Sequence, residues 1–431
     1  MRTTKEKGKK IFDFDIVVIG AGPAGLMAAI QAASSGCQVA VLEKNSRPGK
    51  KLLLSGGGRC NLLHAVSSYR ELASFYGSAK NFLLPVFSRF GYQEAADFFR
   101  GLDLEMREEK EGQIFPANSS SFSVLERLLN KASDLGVAFF YGNPVVSLET
   151  SETSIVAAKT VSGNLFKGKI FIVATGGLSY PETGSTGDAC HWLEPLGQPL
   201  EKFSPGLCPL ELADKKFQSL AGISWPEAAL SFPGKKKFYG SLMFTPSGLS
   251  GPLAIDFSRE LRGKKFPLML KLDFFPFLTE KDLLEELETA SQQNKSLLKN
   301  FLRSWLPERL ASFFIAAASL EPSRPVGSIY KREWGFLVSL LKDWDLPISG
   351  LSGYRRAMVT LGGFSLNQVD SRTMRSRLID NLYLAGEVLD IDGPCGGFNL
   401  QACWSTGYLA GQAAAAQKEE KGEVRRINRQ D

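Results

Sequence analysis

Histidine is the scarcest chemical resource in this chain: His64 and His191 are the only two in 431 residues. Chemistry that relies on several imidazoles is excluded. The six cysteines (Cys37, Cys60, Cys190, Cys208, Cys395 and Cys403) form no C-x-x-C pair, so no zinc site is expected and no metal is assigned. Scattered, unpaired thiols in a chain of this length suit a reducing cytoplasm, the expected location. No stretch approaches the ~18 continuous apolar residues of a membrane span. The basic start, Met1 to Lys10, leads into an apolar run broken by Asp13 and Asp15, which is no signal-peptide core. Internal repeats are absent. Neither sign of charge dominates; a net charge of +6 permits contact with a polyanion without demanding it.

What is present is an ordinary globular composition, 44% hydrophobic and 22% charged, long enough for two domains or one domain with an insertion. The most informative stretch runs from Asp15 to Glu43. It reads as a strand (Ile16–Ile19), a glycine turn (Gly20-Ala21-Gly22-Pro23-Ala24-Gly25), an Ala-rich helix (Leu26–Ser35) and a second strand (Gln38–Leu42) ending on Glu43. Gly20 permits the sharp turn, Gly22 lets a pyrophosphate approach the backbone, and Gly25 allows close helix–strand packing. The phosphates would sit at the positive end of the helix, and Glu43 would accept hydrogen bonds from an adenosine ribose. The stretch specifies a dinucleotide without saying which.

Residues 1–13 read as a loose basic leader. After Glu43, a polar loop with Lys44, Lys50 and Lys51 runs into Leu52-Leu53-Leu54-Ser55-Gly56-Gly57-Gly58-Arg59-Cys60-Asn61, whose bare backbone suits a second anion cradle. Residues 67–135 carry helical periodicity. A small antiparallel β unit is expected at about 137–166. Lys169–Gly177 reads as a buried parallel strand, and Thr183–Asp188 as a turn before a helix through His191. From 195 to 354 the chain becomes rich in Pro, Phe and Lys, with strands at Ala228–Phe232, Gly240–Phe244 and Leu268–Asp273 followed by helices. This reads as an inserted mixed β/helical domain. Its lysine clusters (Lys215-Lys216, Lys235–Lys237, Lys264-Lys265) are a solvated face or a phosphate-backbone footprint. Residues 355–417 return to strand-plus-glycine character and a closing helix; 418–431 form a charged tail, expected to be disordered.

Three glycine-terminated strands, Ile16–Gly20, Ile170–Gly176 and Leu382–Gly386, lie far apart in the chain. One discontinuous nucleotide domain accounts for all three. No second strand–GxGxxG–helix appears, and neither histidine has an obvious partner. A flavin, which carries its own redox chemistry, asks less of the protein than a nicotinamide does, which favours FAD over NAD.

The blocks GAGPAGLMAA (20–29), GKKLLLSGGGRCN (49–61), ATGGLSYPETGSTGDA (174–189), GLSGP (248–252), VTLGGFSLNQVD (359–370) and LYLAGEVLDIDGPCGGFNLQACWSTG (382–407) keep their order across nearly the whole chain. In them the sequence resembles the BaiN/YhiN-like, or aminoacetone-oxidase-like, FAD-dependent oxidoreductases. The resemblance implies an α/β fold: a discontinuous Rossmann-like FAD-binding domain of glutathione-reductase type (14–194 and 355–417) interrupted by the insertion. Met243-Phe244-Thr245-Pro246-Ser247 departs from the family's usual histidine-containing form.

By that resemblance Gly20, Ala21, Gly22, Pro23, Ala24 and Gly25 hold the pyrophosphate and Glu43 the ribose. Lys44, Lys50, Lys51, Leu52, Gly58, Arg59 and Asn61 line the cofactor, as do Thr175, Gly176 and Gly386. Val145 contacts the adenine end, and Glu387 and Asp390 approach the ribityl–phosphate region. Gly397, Phe398, Asn399 and Leu400, at a helix N-terminus, face the flavin pyrimidine edge, where the helix dipole stabilises negative charge on reduced flavin. Cys395 and His64 are the candidate catalytic residues; each also has a plainer reading, as packing in a tight turn and as a structural histidine. The expected activity is FAD-dependent reduction of an unsaturated substrate, recharged by NADH or NADPH, with a small molecule or an RNA base as substrate. The version tested first is uridine in ribosomal RNA going to dihydrouridine, with RNA contact through the basic insertion. The alternatives are an amine oxidase or small-molecule ene-reductase, and a non-catalytic flavoprotein that binds RNA or a protein.

Overall fold

A computed structural model describes the backbone of residues 2–6, 9–118 and 120–427, and side chains from 9 to 418 apart from residue 119. The chain divides into two compact units, Met1–Ser204 with Met358–Asp431, and Pro205–Ala357. The insertion expected from 195 begins later because Leu200–Gly206 pairs with Val359–Phe364.

The first unit is built on a mainly parallel sheet. Strand β1 (Arg2–Glu6) pairs antiparallel with β2 (Lys9–Ile19). The glycine turn leads into helix α1 (Pro23–Ser34) and then β3 (Val39–Glu43). After a helical stretch come β4 (Ala138–Tyr141), β5 (Val145–Ser151), β6 (Ser154–Thr160) and β7 (Leu165–Val173). The spatial order is β4-β3-β2-β7-β6-β5, with the closing strand Leu382–Leu384 also parallel to β7. The three glycine-terminated strands are therefore neighbours in one sheet: Val173 is opposite both Ile19 and Leu384, so their glycine ends lie side by side. Ile16, Val17, Val18 and Ile170 to Val173 are fully buried, as expected of strands covered on both faces.

Three expectations change. Residues 9–13 are not a leader but the start of β2: Ile11 and Phe12 are buried, and Phe12 stacks on Phe166 with ring centroids 4.7 Å apart. Met1, Lys7 and Gly8 lie outside the described residues. Of the small antiparallel unit, Ala138–Tyr141 belongs instead to the parallel sheet beside β3, and only β5, β6 and the start of β7 form the meander. The closing helix, Phe398–Ile427, runs past Gln417 into the charged tail, whose Glu, Lys and Arg are good helix formers; residues 428–431 lie outside the described residues.

The second unit is a closed six-stranded barrel, ordered Leu210–Leu212, Gly248–Ser250, Phe238–Thr245, Ser224–Ser231, Leu268–Asp273, Trp344–Leu351. Helices Glu280–Gln292, Glu308–Ala317 and Lys331–Lys342 come between its fifth and sixth strands. Leu230, Leu242, Leu270, Leu272, Leu346 and Ile348 are among the residues of its own hydrophobic core. At one point that core holds a charge: buried Asp273 accepts from Lys237 and Lys342, each at 2.8 Å. Two cations around one carboxylate keep its burial affordable.

Candidate functional site

The glycine turn shows which glycines the protein needs for itself. A Cβ on Gly25 would lie 1.9 Å from the Gly20 carbonyl oxygen, and one on Gly20 would lie 2.5 Å from that of Ala174. Gly25 lets the helix pack on the end of β2, and Gly20 lets that end lie against the end of β7. Gly22 is different: nothing lies within 4 Å of where its Cβ would be, and its φ of −83° suits any residue. The space above Gly22 is therefore open in the protein, at the N-terminus of α1, where the first-turn amides have no intrahelical acceptors. That is where an anion belongs.

A pocket opens over this turn. It is lined by Gly20, Gly22, Pro23, Ala24, Glu43, Lys44, Lys50, Lys51, Leu52, Val145, Thr175, Gly176 and Glu387, all expected from the sequence. It is also lined by Asn45, Asn143, Thr183, Ser185, Asp188, Trp192 and Cys403, which were not.

Glu43 is buried and its carboxylate braces the turn. Oε2 accepts the Ala21 N–H at 2.9 Å, and Oε1 accepts the Asn45 N–H at 2.8 Å and Asn45 Nδ2 at 2.7 Å. Lys50 donates to Asn45 Oδ1 at 3.0 Å, and Lys44 pairs with Asp188 at 2.7 Å. Asn45 and Asp188 thus hold two of the expected lysines in place. Nothing in the sequence beyond their nearness to Lys44 and to the Thr183–Asp188 turn marked them.

Further along the pocket, Lys51 forms an ion pair with Glu387 and donates to Ser179 Oγ at 2.9 Å. Ser179 Oγ and the Thr360 N–H both donate to Glu387 Oε1, at 2.8 and 2.7 Å. One carboxylate joins segments centred on residues 51, 179, 360 and 387. Burial pushes the Cys403 thiol up to about 12, and the Glu387 charge adds to the shift. Thr175 Oγ1 is buried with no hydrogen-bond partner on the pocket wall. An orphaned hydroxyl, a row of lysines and the unfilled space over Gly22 fit the phosphates and ribose of a dinucleotide such as FAD.

The rest of the predicted residues lie outside this pocket, several of them in a second cluster. His64 Nδ1 is 2.9 Å from the Gly396 carbonyl oxygen, and its ring stacks on Phe398 at 4.2 Å. Phe398 is buried. Asn399 exchanges two hydrogen bonds of 2.9 Å with the Gly393 main chain. A Cβ on Gly397 would meet the Leu63 carbonyl at 2.3 Å and Asn61 Oδ1 at 3.0 Å, and that Asn61 oxygen is buried without a partner. In this cluster His64, through Gly396 and Phe398, holds the 393–399 loop against residues 61–64, and Asn399 ties the loop back on itself. Gly386 stands at the turn that bears Glu387, packed against Ala24; Asp390 hydrogen-bonds by its N–H to Phe364.

Arg59 is not brought to the pocket. It pairs with Glu109 at 2.7 Å and lies 4.0 Å over the Phe115 ring, while the Gly58 carbonyl accepts from Ser121. The triple glycine runs left-handed (φ 57°, 65° and 88°) and turns the chain away after Lys51 and Leu52 have lined the pocket. Cys395 is partly exposed, with its sulfur 3.9 Å from Met358 Sδ. Tyr180, which the sequence did not single out, sits where the 175–185 loop swings away from the pocket before returning at Thr183. Its backbone is left-handed (φ 51°), and burial, then the charges of Glu182 and Cys395, raise its phenol pKa. His191 is exposed on the helix Asp188–Leu193 and does not line the pocket, although its neighbour Trp192 does.

Among the described residues no group of His, Cys, Asp and Glu could hold a metal, and no helix is long and apolar enough to cross a membrane. A family model described as the HI0933-like protein Rossmann domain matches residues 14–413. The chain is 31% identical over 408 residues to the ribosomal RNA dihydrouridine synthase of Escherichia coli, covering 94% of this chain and 99% of that protein. It is 30% identical over 411 residues to the 3-dehydro-bile acid delta(4,6)-reductase of Clostridium scindens, covering 93% and 98%. Among solved structures it resembles a 3-ketosteroid-delta4-(5alpha)-dehydrogenase from Rhodococcus jostii, with a TM-score of 0.54 at 16% identity over 94% of this chain and 97% of that one; this likeness is one of fold.

Proposed function

Since the chain belongs to the HI0933-like Rossmann-domain family and is an FAD-dependent oxidoreductase, we propose that it reduces a carbon–carbon double bond conjugated to a carbonyl, and that the substrate is a uracil base in ribosomal RNA. Two electrons and two protons convert the 5,6 double bond of uridine to dihydrouridine. NADH or NADPH is the donor of the electrons. FAD, when bound, takes them up and supplies the hydride. The protein's own residues bind and orient. Gly22 and the first turn of α1 would hold the pyrophosphate, Glu43 with Asn45 the ribose end, and Lys50 and Lys51 the remaining negative charge. Cys395 is the proton source for the second carbon, and His64, tied to the Gly396 carbonyl, positions the loop that carries it.

The observation that carries the reading to RNA rather than to a small enone lies in the second unit. Lys235 and Lys236 on one hairpin and Lys264 and Lys265 on another loop are all exposed. Lys236 lies over Phe238 and Lys264 over Phe232, and both rings pack on Phe257. Two lysine clusters about thirty residues apart in sequence thus form one basic tip. Such a tip suits the neutralisation of phosphates, which reduction of a small apolar molecule does not require.

Two measurements test this. Anaerobic mixing with NADH or NADPH should bleach the flavin absorbance; no bleaching with either argues against the donor. Ribosomal RNA from cells with and without the gene should differ in dihydrouridine content, and equal content sinks the substrate. Turnover of a conjugated steroid ketone without any change in ribosomal RNA would favour the small-molecule ene-reductase instead.

A further inference from the structure

A second cavity, of about 950 Å³, lies in the first unit and shares no lining residue with the dinucleotide pocket. Its walls come from the end of the closing helix (Leu409 to Gln417), the loop 370–377 and Arg89. Four arginines line it, Arg89, Arg372, Arg375 and Arg377, against one acid, Asp370.

That acid is already engaged. Asp370 Oδ1 accepts the main-chain N–H groups of Arg372 at 2.8 Å and Thr373 at 3.2 Å, and Oδ2 lies 3.7 Å from Arg377. Arg375 reaches Asp380 at 3.5 Å, but its Nε is buried without an acceptor. Among the described residues Arg89 and Arg372 have no ion-pair partner at all. The Asp370 turn is closed by the Met374 N–H donating to the Asp370 carbonyl at 2.7 Å, and bridges join Val369 to Ser376 and Arg375 to Tyr383. The loop is thus fixed by its own hydrogen bonds, and it presents Arg372 and Arg375 from a set backbone.

Arg375 and Arg377 each have one acid nearby, while Arg89 and Arg372 line the same space with no ion-pair partner among the described residues, so the wall carries more positive charge than its own acids offset. Guanidinium forks match pairs of phosphate oxygens, and the space exceeds what one phosphate needs. We propose that this groove binds the phosphate backbone of an RNA segment flanking the base that is reduced. The assignment of RNA as the source of those phosphodiesters rests on the substrate reading above; the groove's preference for more than one phosphate rests on Arg89 and Arg372, which are unpaired by acids among the described residues and lie on separate walls of a space of about 950 Å³.

The test is binding of a fluorescein-labelled single-stranded RNA oligonucleotide to holoenzyme over a series of salt concentrations, with DNA of the same length and inorganic polyphosphate as competitors. The comparison is between the natural chain, Arg89→Ala/Arg372→Ala and Arg89→Lys/Arg372→Lys. Losing two phosphate contacts should weaken binding at least tenfold and lower the slope of log K against log salt by about 1.4. The lysine pair should recover most of the slope, as point charges do, and less of the affinity. FAD content and thermal midpoint should not change, because neither arginine touches the cofactor pocket. Equal affinity and slope in the alanine pair, with the natural chain binding RNA, overturns the groove and leaves the substrate reading standing. Failure of the natural chain to bind RNA overturns both. Competition by polyphosphate but not by DNA or unlabelled RNA overturns the RNA assignment.

Discussion

At the glycine turn over which the pocket opens, six consecutive residues do nearly everything: Gly25 lets helix and strand touch, Gly20 lets β2 end against Ala174, and Gly22 leaves a space that no protein atom fills. In the second cluster, outside the pocket around residues 393–399, no local motif does the work. His64, Asn61, Phe398 and Asn399 come from two distant segments: His64 stacks on Phe398 and bonds the Gly396 carbonyl, Asn399 bonds the Gly393 main chain, and Asn61 bonds Gln113. The turn is written in consecutive residues; the cluster exists only once the fold has formed. Substitutions in the turn should therefore separate cleanly into folding and binding effects. In the cluster, holding the loop and turning over substrate are harder to separate.

The largest effect is expected at Gly25. In Gly25→Ala the new methyl would sit 1.9 Å from a main-chain oxygen that cannot move without displacing β2. Overpacking of this kind costs about 3 kcal/mol. A urea midpoint that barely moves would mean that the strand–helix contact is looser than the geometry says. Next comes Cys395→Ser in the 393–399 loop. If the thiol delivers the proton, turnover should fall about 100-fold with FAD content and thermal midpoint unchanged. Unchanged turnover would return Cys395 to a packing role.

Gly22→Ala is the informative counterpart to Gly25→Ala. The apoprotein should keep its stability to within about 0.5 kcal/mol, since the methyl meets nothing. FAD should bind about tenfold more weakly, a loss of about 1.4 kcal/mol. Equal affinity for FAD would show that the phosphates do not pass over this turn.

How far the sequence could be read follows the same division. The strand, turn and helix of residues 15–43 and the neighbourhood of three distant glycine-ended strands were legible, because local spacing encodes them. Asn45, Asp188 and Thr360 were not, because their roles depend on partners as much as 182 residues away, as with the Thr360 hydroxyl that accepts the Leu178 N–H. The barrel was legible in part. Strands expected at 228–232, 240–244 and 268–273 overlap the observed Ser224–Ser231, Phe238–Thr245 and Leu268–Asp273, but Trp344–Leu351 carries Pro347 in its middle, and Leu210–Leu212 and Gly248–Ser250 are too short to show alternation. Arg89 and Arg372 lie far apart in the chain and gave no cluster to notice.

The smallest expected effect concerns the thiols. Burial pushes Cys60 up to about 12, Cys403 up to about 12, and Cys190 and Cys208 up to about 11, against an ordinary value of 9.0. A thiol whose pKa is raised by folding contributes its full stability below the unfolded value. That contribution is lost as pH rises from about 9 towards the folded value, because the unfolded chain ionises first. Stability should therefore decline above pH ~9, each such thiol adding at most about 1.4 kcal/mol per pH unit. Cys60→Ala should flatten the decline by one thiol's share, measured as urea midpoints at pH 8 and pH 10. At pH 8, iodoacetamide should modify Cys395 well before Cys60 or Cys403. Mass-spectrometric mapping that finds Cys403 modified first in holoenzyme would mean that the pocket is more open at its Glu387 end than its ion pair with Lys51 implies.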